Sequence, residues 1–307
     1  MSASGGKKAI IAAFLANLGI AIAKFIGFAI TGASSMLSEA IHSVADTGNQ
    51  GLLLLGGRRS EKVADQEHPF GYGRERYFWS FVVAVVLFTM GAMFAIYEGI
   101  HKIQHPEKLE SPAVAIGILG VAFVLESFSL RTAVAESRPL KGDASWFEFL
   151  RTAKVPEFPV VLLEDGGALL GLLVALTAVM ANIVTGNSVY DGIGSVVIGL
   201  ILGVIAVFLC IEMKSLLIGE SASPADRAAI DAAITDSPGV TRLIHSKTQH
   251  VGPEEILLAA KVEFEPGMDV ARLAVAVDGV EAAVRSAVPA VRLIYIEPDL
   301  YRGSEVA

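Results

Sequence analysis

The sequence contains little charge and few aromatic side chains for its length. Only 18% of its 307 residues are Asp, Glu, Lys or Arg and 7% are aromatic, whereas soluble domains carry about 25% charged residues. Cysteine occurs once, at Cys210, which excludes an intrachain disulfide and a thiolate cluster. The net charge of −8 argues against a nucleic-acid partner. With 53% hydrophobic residues, the composition predicts a membrane protein with a modest soluble part.

The apolar residues are concentrated in six segments that are each long enough to cross a bilayer, which takes about 20 residues. The predicted spans 1 to 6 are 9–31, 33–57, 76–100, 111–135, 158–182 and 189–213. Uncharged stretches at 77–97 and 192–211 lie in spans 3 and 6, and the other four spans contain charged residues. The first span is too long for a signal peptide and no small-residue cleavage motif follows it, so none is expected.

Lysine and arginine are distributed unevenly among the loops. Basic residues precede span 1, recur between spans 2 and 3 and between spans 4 and 5, and follow span 6, while the opposite loops carry few of them. Loops rich in Lys and Arg stay on the cytoplasmic side of a membrane. Both termini are therefore predicted to face the cytoplasm, in a bacterial inner membrane or an organelle membrane.

The periodicity changes after about Gly219. A helix start at Ser223 and Pro224 is followed by predicted strands at 240–249 and 256–264, a helix at 270–287 and a last strand at 291–297. The predicted fold class is thus a polytopic α-helical membrane protein with six transmembrane helices and a C-terminal α+β domain of order α-β-β-α-β. The predicted domains are 1–218, the membrane domain, and 219–307, a cytoplasmic domain.

Charged side chains inside the spans are the strongest functional signal. Each costs about 2.5–3.5 kcal/mol at the centre of a membrane helix. His42 and Asp46 in span 2 are four residues apart and share one helical face, so they could grip one divalent metal, to which span 5 could add Asp165. Glu164 is a weaker candidate, because it lies about 100° around the helix from Asp165. The alternative for His42 and Asp46 is a hydrogen bond that serves helix packing.

Other polar residues have competing interpretations. Lys24 and Glu126 suit pairing between helices or snorkelling better than transport, and Asp191 suits a cap or packing role. Between spans 2 and 3, Asp65 and His68 could bind a second metal ion, or could belong to a structured loop with basic anchors at the membrane surface.

The chain resembles the cation diffusion facilitators, the family that includes the zinc-transporter exporters. The resemblance rests on the six-span plan, the segment SEAIHSVAD at 38–46, the segment HPFGYGR at 68–74 and the C-terminal element order, which is similar to the family's metallochaperone-like domain. It implies a homodimer and a four-ligand transport site, two ligands from span 2 and two from span 5 at i and i+4. His42, Asp46 and Asp165 match three of them.

The sequence departs from the family pattern at several ligand positions. Val161 stands where the first span 5 ligand is expected, and the resemblance leaves Glu164, Glu157 or water to replace it. In the second site Asp65 and His68 match, but Tyr72 stands where a further His is common. In the C-terminal domain the positions that match the family's ligands are Ile244, Lys261, Tyr295 and Glu297, with His245 and His250 nearby. That domain is therefore expected to dimerise with little or no bound metal.

Taken with the resemblance, these residues predict a proton-coupled antiporter that exports Zn²⁺ by alternating access at the site between spans 2 and 5. The resemblance implies that spans 1, 2, 4 and 5 rock against spans 3 and 6. One alternative is transport of Mn²⁺, Fe²⁺ or Co²⁺, which an oxygen-rich site would suit. Another is a membrane scaffold without transport. No enzyme activity is expected, because no nucleophile–base constellation, phosphate loop or H-E-x-x-H motif is present, and no organic cofactor is expected either.

Overall fold

The structure, a computed structural model, describes residues 18–106 and 111–303. Its helices are α1 (Leu18–Thr31), α2 (Ser34–Ser60), α3 (Glu75–Gln104), α4 (Pro112–Lys141), α5 (Trp146–Thr152), α6 (Glu157–Thr185), α7 (Val189–Ile218), α8 (Pro224–Thr235) and α9 (Val270–Ala287). The strands are β1 (Val240–Gly252), β2 (Glu255–Phe264) and β3 (Val291–Pro298). Helices α1 to α4, α6 and α7 correspond to spans 1 to 6, and the part of span 1 before Leu18 lies outside the described residues.

Four of these helices, α3, α4, α6 and α7, are long and apolar enough to cross a membrane. Helix α1 is shorter over its described part, and α2 buries many polar side chains. The four apolar helices continue past the predicted span ends, to residues 104, 141, 185 and 218. A helix of 30 residues is about 45 Å long, whereas the hydrocarbon core measures about 30 Å, so hydropathy marks only the apolar part of each helix.

The core of the membrane domain takes side chains from all six long helices. One fully or almost fully buried residue from each helix, in chain order, is Ile20, Met36, Leu87, Leu119, Leu172 and Ile198. Since both lipid and core are apolar, close packing rather than exclusion from water holds such helices together.

Helices α3 and α7 approach each other backbone to backbone. A Cβ atom built on Gly99 would lie 2.6 Å from the carbonyl oxygen of Gly192 and 2.7 Å from the amide nitrogen of Val196. A Cβ on Gly199 would lie 2.8 Å from the carbonyl oxygen of Ala92. Small residues at these crossings are what permits the contact.

Helix α3 contains a π-helical segment, Leu87–Met93. No sequence pattern indicates this segment, because a π turn keeps the apolar composition of the helix around it. Such turns are rare and are frequently found at functional sites. Gly91, in the middle of this segment, lies beside α2: a Cβ there would be 4.0 Å from Nδ1 of His42.

The chain divides into two compact units. The first comprises residues up to Arg58 and Phe78–Lys214, and the second comprises Arg59–Tyr77 and the residues from Ser215 onward. The loop between α2 and α3 thus belongs to the C-terminal unit, where Gly73 packs so closely on Gly252 that a Cβ would lie 2.8 Å from its Cα. The sequence-based boundary between 218 and 219 stays a prediction.

The C-terminal elements follow the predicted order α-β-β-α-β. Ser223 caps α8 by accepting a hydrogen bond from the amide of Asp226 at 3.0 Å, and Asp269 caps α9 in the same way through Arg272 at 2.8 Å. Strand β2 is central, antiparallel to β1 and parallel to β3. Its residues alternate between buried and half-buried, because successive side chains of a strand point to opposite faces of the sheet.

Candidate functional site in the helix bundle

The centre of the candidate site is the pair His42 and Asp46 on α2. Nδ1 of His42 lies 3.5 Å from Oδ1 of Asp46, and the side chain of His42 is fully buried while that of Asp46 is 14% exposed. Among the described residues, neither ring nitrogen of His42 nor Oδ1 of Asp46 has a hydrogen-bond partner. Buried polar atoms are nearly always satisfied, so unused nitrogen and oxygen atoms one helical turn apart are available to a ligand.

Glu164 and Asp165, adjacent on α6, bond to different helices. Oε1 of Glu164 accepts a hydrogen bond from Nδ2 of Asn49 on α2 at 2.5 Å. Oδ2 of Asp165 accepts one from Oγ of Ser129 on α4 at 2.8 Å. The divergence follows from the angle of about 100° between consecutive helical residues, and it ties α6 to both neighbours.

These carboxylates share one electrostatic environment. Asp46 interacts electrostatically with Glu164, Glu126 and Asp165, and with the ammonium group of Lys24. Within the part of the chain that the structure describes, however, no three His, Cys, Asp or Glu side chains are close enough together to hold a metal ion. The structure therefore brings His42 and Asp46 together and leaves Glu164 and Asp165 on their own hydrogen-bond partners. The assignment of these residues as metal ligands stays a prediction.

Lys24 pairs between helices, as its sequence context predicted. Its Nζ donates to Oε2 of Glu39 at 3.1 Å and to Oγ of Ser43 at 2.7 Å, and both members of the ion pair are fully buried. Oε1 of Glu39 lies against Gly171 of α6, where any Cβ would overlap it. Helices α1, α2 and α6 therefore meet at this ion pair.

Val161, at the position of the expected ligand, belongs to an apolar cluster. It packs with Leu130, Ala133 and Leu162 and with Phe149 of α5. A polar ligand here would be buried among hydrocarbon, so the substitution has a packing reason. Glu157, the other candidate replacement, is the first residue of α6.

Asp191 has the cap role expected from the sequence, although it caps another helix. Located in the first turn of α7, it is fully buried and accepts hydrogen bonds from the amides of Ser34 and Ser35 at 2.7 and 3.3 Å and from Oγ of Ser35 at 2.5 Å. These amides open α2, where a carboxylate is favourable. Nearby, Nζ of Lys102 donates to the carbonyl oxygen of Gly32 at 2.9 Å.

Asp65 and His68 form a loop turn in which Asp65 is already engaged. Its Oδ1 accepts the amide of His68 at 2.8 Å and its Oδ2 accepts the hydroxyl of Tyr72 at 2.6 Å. These bonds hold the pKa of Asp65 below its usual range and raise the pKa of Tyr72 to about 12. Tyr72, found where the family often has His, thus closes the loop. A second metal site here stays a prediction.

In the C-terminal domain, Lys261 occupies a position that matches a family ligand. Its Nζ lies 3.2 Å from Oε1 of Glu297 and 3.0 Å from Oδ2 of Asp299. The hydrogen bonds to these carboxylates raise the pKa of Lys261, and the same contact lowers the pKa of Asp299. His250 is buried, and its Nδ1 lies 3.3 Å from the carbonyl oxygen of Gly252. An ammonium group bridging two carboxylates disfavours a cation at this place.

The Lys261 contacts predict a modest pH dependence of stability at both extremes. The contribution of Asp299 is present above its unfolded pKa of about 3.9 and is lost as pH falls through its lowered folded pKa. That of Lys261 is present below about 10.4 and is lost as pH rises through its raised folded pKa. Thermal unfolding of the full chain across pH should show both losses, and Lys261→Met should flatten them. Lys247→Met, at an exposed position on β1, is the control and should keep the parental profile.

The membrane domain also matches a known family. The family model described as the cation efflux transmembrane domain covers residues 10–218. The chain belongs to the cation diffusion facilitator family. The fold class predicted from the sequence is thereby confirmed: a multi-pass helical membrane protein with six spans and a C-terminal α+β domain.

Relatives of this cation diffusion facilitator are named for metal handling. The proton-coupled zinc antiporter SLC30A9, mitochondrial, of Mus musculus is 36% identical over 245 residues, which are 79% of this chain and 43% of the relative. Metal tolerance protein C4 of Arabidopsis thaliana is 30% identical over 266 residues, 85% of this chain and 58% of the relative. The chain therefore spans less than two thirds of these proteins. A solved nickel form of the MamM C-terminal domain is 21% identical to this chain, with a TM-score of 0.25. The match covers 26% of this chain and 100% of the solved chain.

Sequence reasoning missed Asn49 and Ser129, the two neutral residues that hold the α6 carboxylates. Both are polar residues inside predicted spans, which is the only sequence signal that could have found them. Asn49 lies seven residues after His42, two helical turns along the same α2 face.

Proposed function

We propose that this chain carries divalent metal cations across a membrane in exchange for protons, with Zn²⁺ as cargo bound by His42, Asp46 and Asp165. The observation that carries the proposal is the buried imidazole of His42, whose two ring nitrogens lack hydrogen-bond partners among the described residues, beside the unpartnered Oδ1 of Asp46. Imidazole nitrogen and carboxylate oxygen are the ligand types that zinc selects. Metal binding requires neutral His and ionised carboxylates, which couples cargo to protons.

The hydrogen bonds to Glu164 and Asp165 suit carboxylates that exchange partners. Both donors, Asn49 and Ser129, are neutral. Replacing a neutral donor by a cation is less costly than breaking a buried ion pair. In the proposed cycle Asp165 leaves Ser129 to join His42 and Asp46 around the ion, and it returns to Ser129 when the ion is released. Glu164 is the fourth ligand of the proposed cycle, and it leaves Asn49 for the ion in the same way.

The helix pairs support alternating access by rocking. The charged side chains that interact with Asp46 lie on α1, α4 and α6, whereas α3 and α7 are joined backbone to backbone at Gly99 and Gly192. The proposed scaffold is therefore α3 with α7, and the other four helices move against it. The C-terminal domain is proposed to dimerise the chain with little or no bound metal, and both termini are proposed to face the cytoplasm or its organellar equivalent.

Zinc flux into proteoliposomes tests the proposal. Asp46→Ala, Asp165→Ala and His42→Ala should each reduce the pH-driven flux to the background of protein-free liposomes, since each removes a ligand. Ser137→Ala is the control, because Ser137 is buried on α4 and its hydroxyl donates to the backbone carbonyl of Ala133, one turn earlier in the same helix. Parental flux in the Asp46 and Asp165 variants would refute the site.

A second candidate cargo is Mn²⁺, Fe²⁺ or Co²⁺. The observation in its favour is that Val161 lies in an apolar cluster, so one nitrogen donor, His42, is left among carboxylates. Oxygen-rich sites suit harder cations. Competition by a panel of divalent ions at fixed Zn²⁺ separates the cargoes: the preferred ion inhibits zinc flux at the lowest concentration. A transport-inactive scaffold is favoured if calorimetry detects no metal binding by the parent chain.

A further inference from the structure

The carboxylates around the proposed site outnumber the cations near them. Glu39, Asp46, Glu126, Glu164 and Asp165 come from α2, α4 and α6, and each is wholly or mostly buried apart from the partly exposed Asp46 and Asp165. The ammonium group of Lys24 is fully buried and acts electrostatically on Glu39, His42, Asp46 and Glu126 alike. One cation of the chain therefore acts on both the ion pair and the proposed ligands.

The placement of Lys24 is costly unless its charge is used. Burying an ammonium group and a carboxylate together is often no more stable than an apolar pair of similar size. Lys24 and Glu39 nonetheless occupy the crossing of α1 and α2, one turn from His42, and Gly171 leaves room for the carboxylate. Simple helix packing would not require a charged pair at this position.

We propose that Lys24 is a built-in counter-charge of the transport path, which lowers the affinity of the neighbouring carboxylates for a divalent cation so that the cargo can be released. The inference rests on the proposed function. With no cargo bound, the ammonium group balances part of the negative charge of the cluster. When a divalent ion binds at Asp46, the same ammonium group repels it. The cargo ion therefore binds less tightly and is released more readily.

The inference predicts that substitutions of Lys24 and of Glu39 shift the KM for Zn²⁺ in opposite directions. Lys24→Met removes the repelling charge and should lower the KM for Zn²⁺ about tenfold, because a unit charge acts strongly at short range in a low-dielectric interior. Glu39→Gln leaves Lys24 without its anion and should raise the KM about tenfold by the same reasoning. The double variant Lys24→Met with Glu39→Gln restores the balance of charge and should have a KM near the parental one.

The readout is the KM for Zn²⁺ in proteoliposomes, with the Kd from calorimetry on the same purified chain, both referred to the folded fraction from size-exclusion chromatography. The neutral control is Ser43→Ala, which removes a hydrogen bond from Lys24 without changing charge and should leave the KM unchanged. Glu39→Gln is nearly isosteric and its amide oxygen can still accept from Lys24. It therefore tests the inference even if Lys24→Met fails to fold.

The outcomes separate this inference from the function on which it rests. Opposite shifts for the single variants support the counter-charge, as does a raised KM for Glu39→Gln beside an unchanged Ser43→Ala. If the parent transports zinc but both single variants shift the KM in the same direction, or neither shifts it, Lys24 is a packing residue and only this inference is overturned. If the parent neither binds nor transports a divalent metal, both proposals are overturned.

Discussion

Gly99→Ala is expected to separate α3 from α7 and to remove most of the folded protein. The added methyl group would lie 2.6 Å from the carbonyl oxygen of Gly192 and 2.7 Å from the amide nitrogen of Val196. Neither neighbour is a side chain that can rotate away, so the helices themselves must move apart. Overpacking of this kind costs about 3 kcal/mol. The fraction of monodisperse protein after detergent extraction, and its midpoint of thermal unfolding, measure the loss.

The matched control for this prediction is Gly120→Ala on α4. It makes the same change within a long helix, but the new Cβ has no neighbour within 4 Å among the described residues. Alanine has the higher helix propensity, so Gly120→Ala should unfold at the parental temperature or slightly above it. Equal midpoints for the two variants would show that the α3–α7 contact is not tight.

Asp191→Ala should produce the second largest loss of stability, by releasing the start of α2. Three hydrogen bonds from Ser34 and Ser35 end on this carboxylate. Losing a helix N-cap costs about 1 kcal/mol and up to 2, and buried amides that cannot reach water add the cost of unsatisfied donors. We expect a total of about 2 kcal/mol. Thermal unfolding in detergent measures it, and hydrogen exchange should show faster exchange at the amides of Ser34 and Ser35.

Asp191→Asn separates the charge from the hydrogen bonds. Its amide oxygen can still accept from α2, so this variant should lose about half as much stability as Asp191→Ala. Tyr190→Phe, the neighbouring and more exposed position, is the control and should be close to parental. A parental exchange rate at Ser34 and Ser35 in Asp191→Ala would contradict the cap.

Much of the architecture follows from patterns among residues that are close together in the sequence. The spans, the C-terminal strands and the helix start at Ser223 are local features, and local rules predicted them. The i,i+4 relation of His42 and Asp46 is local too, and the structure places their side chains 3.5 Å apart.

Contacts between helices could not be derived in the same way. Whether Glu164 meets Asn49, and whether Asp165 meets Ser129, depends on the rotation of α6 about its axis relative to α2 and α4. Hydropathy gives little information on that rotation when a helix is apolar on most sides, as α6 is. The π segment at Leu87–Met93 was not predicted for a related reason, since its residues would suit an ordinary helix equally well.

Residues 59–77 belong to the C-terminal unit, and this affects the order in which the unit can assemble during translation. This segment is synthesised before most of α3 and before all of α4 to α7, yet Gly73 packs on Gly252, near the end of β1. The unit is therefore discontinuous, and its first segment must wait, without its packing partner, until the rest of the unit has been translated. A fragment that begins after α7 would lack the residues that cover Gly252 and would fold with that backbone open to water.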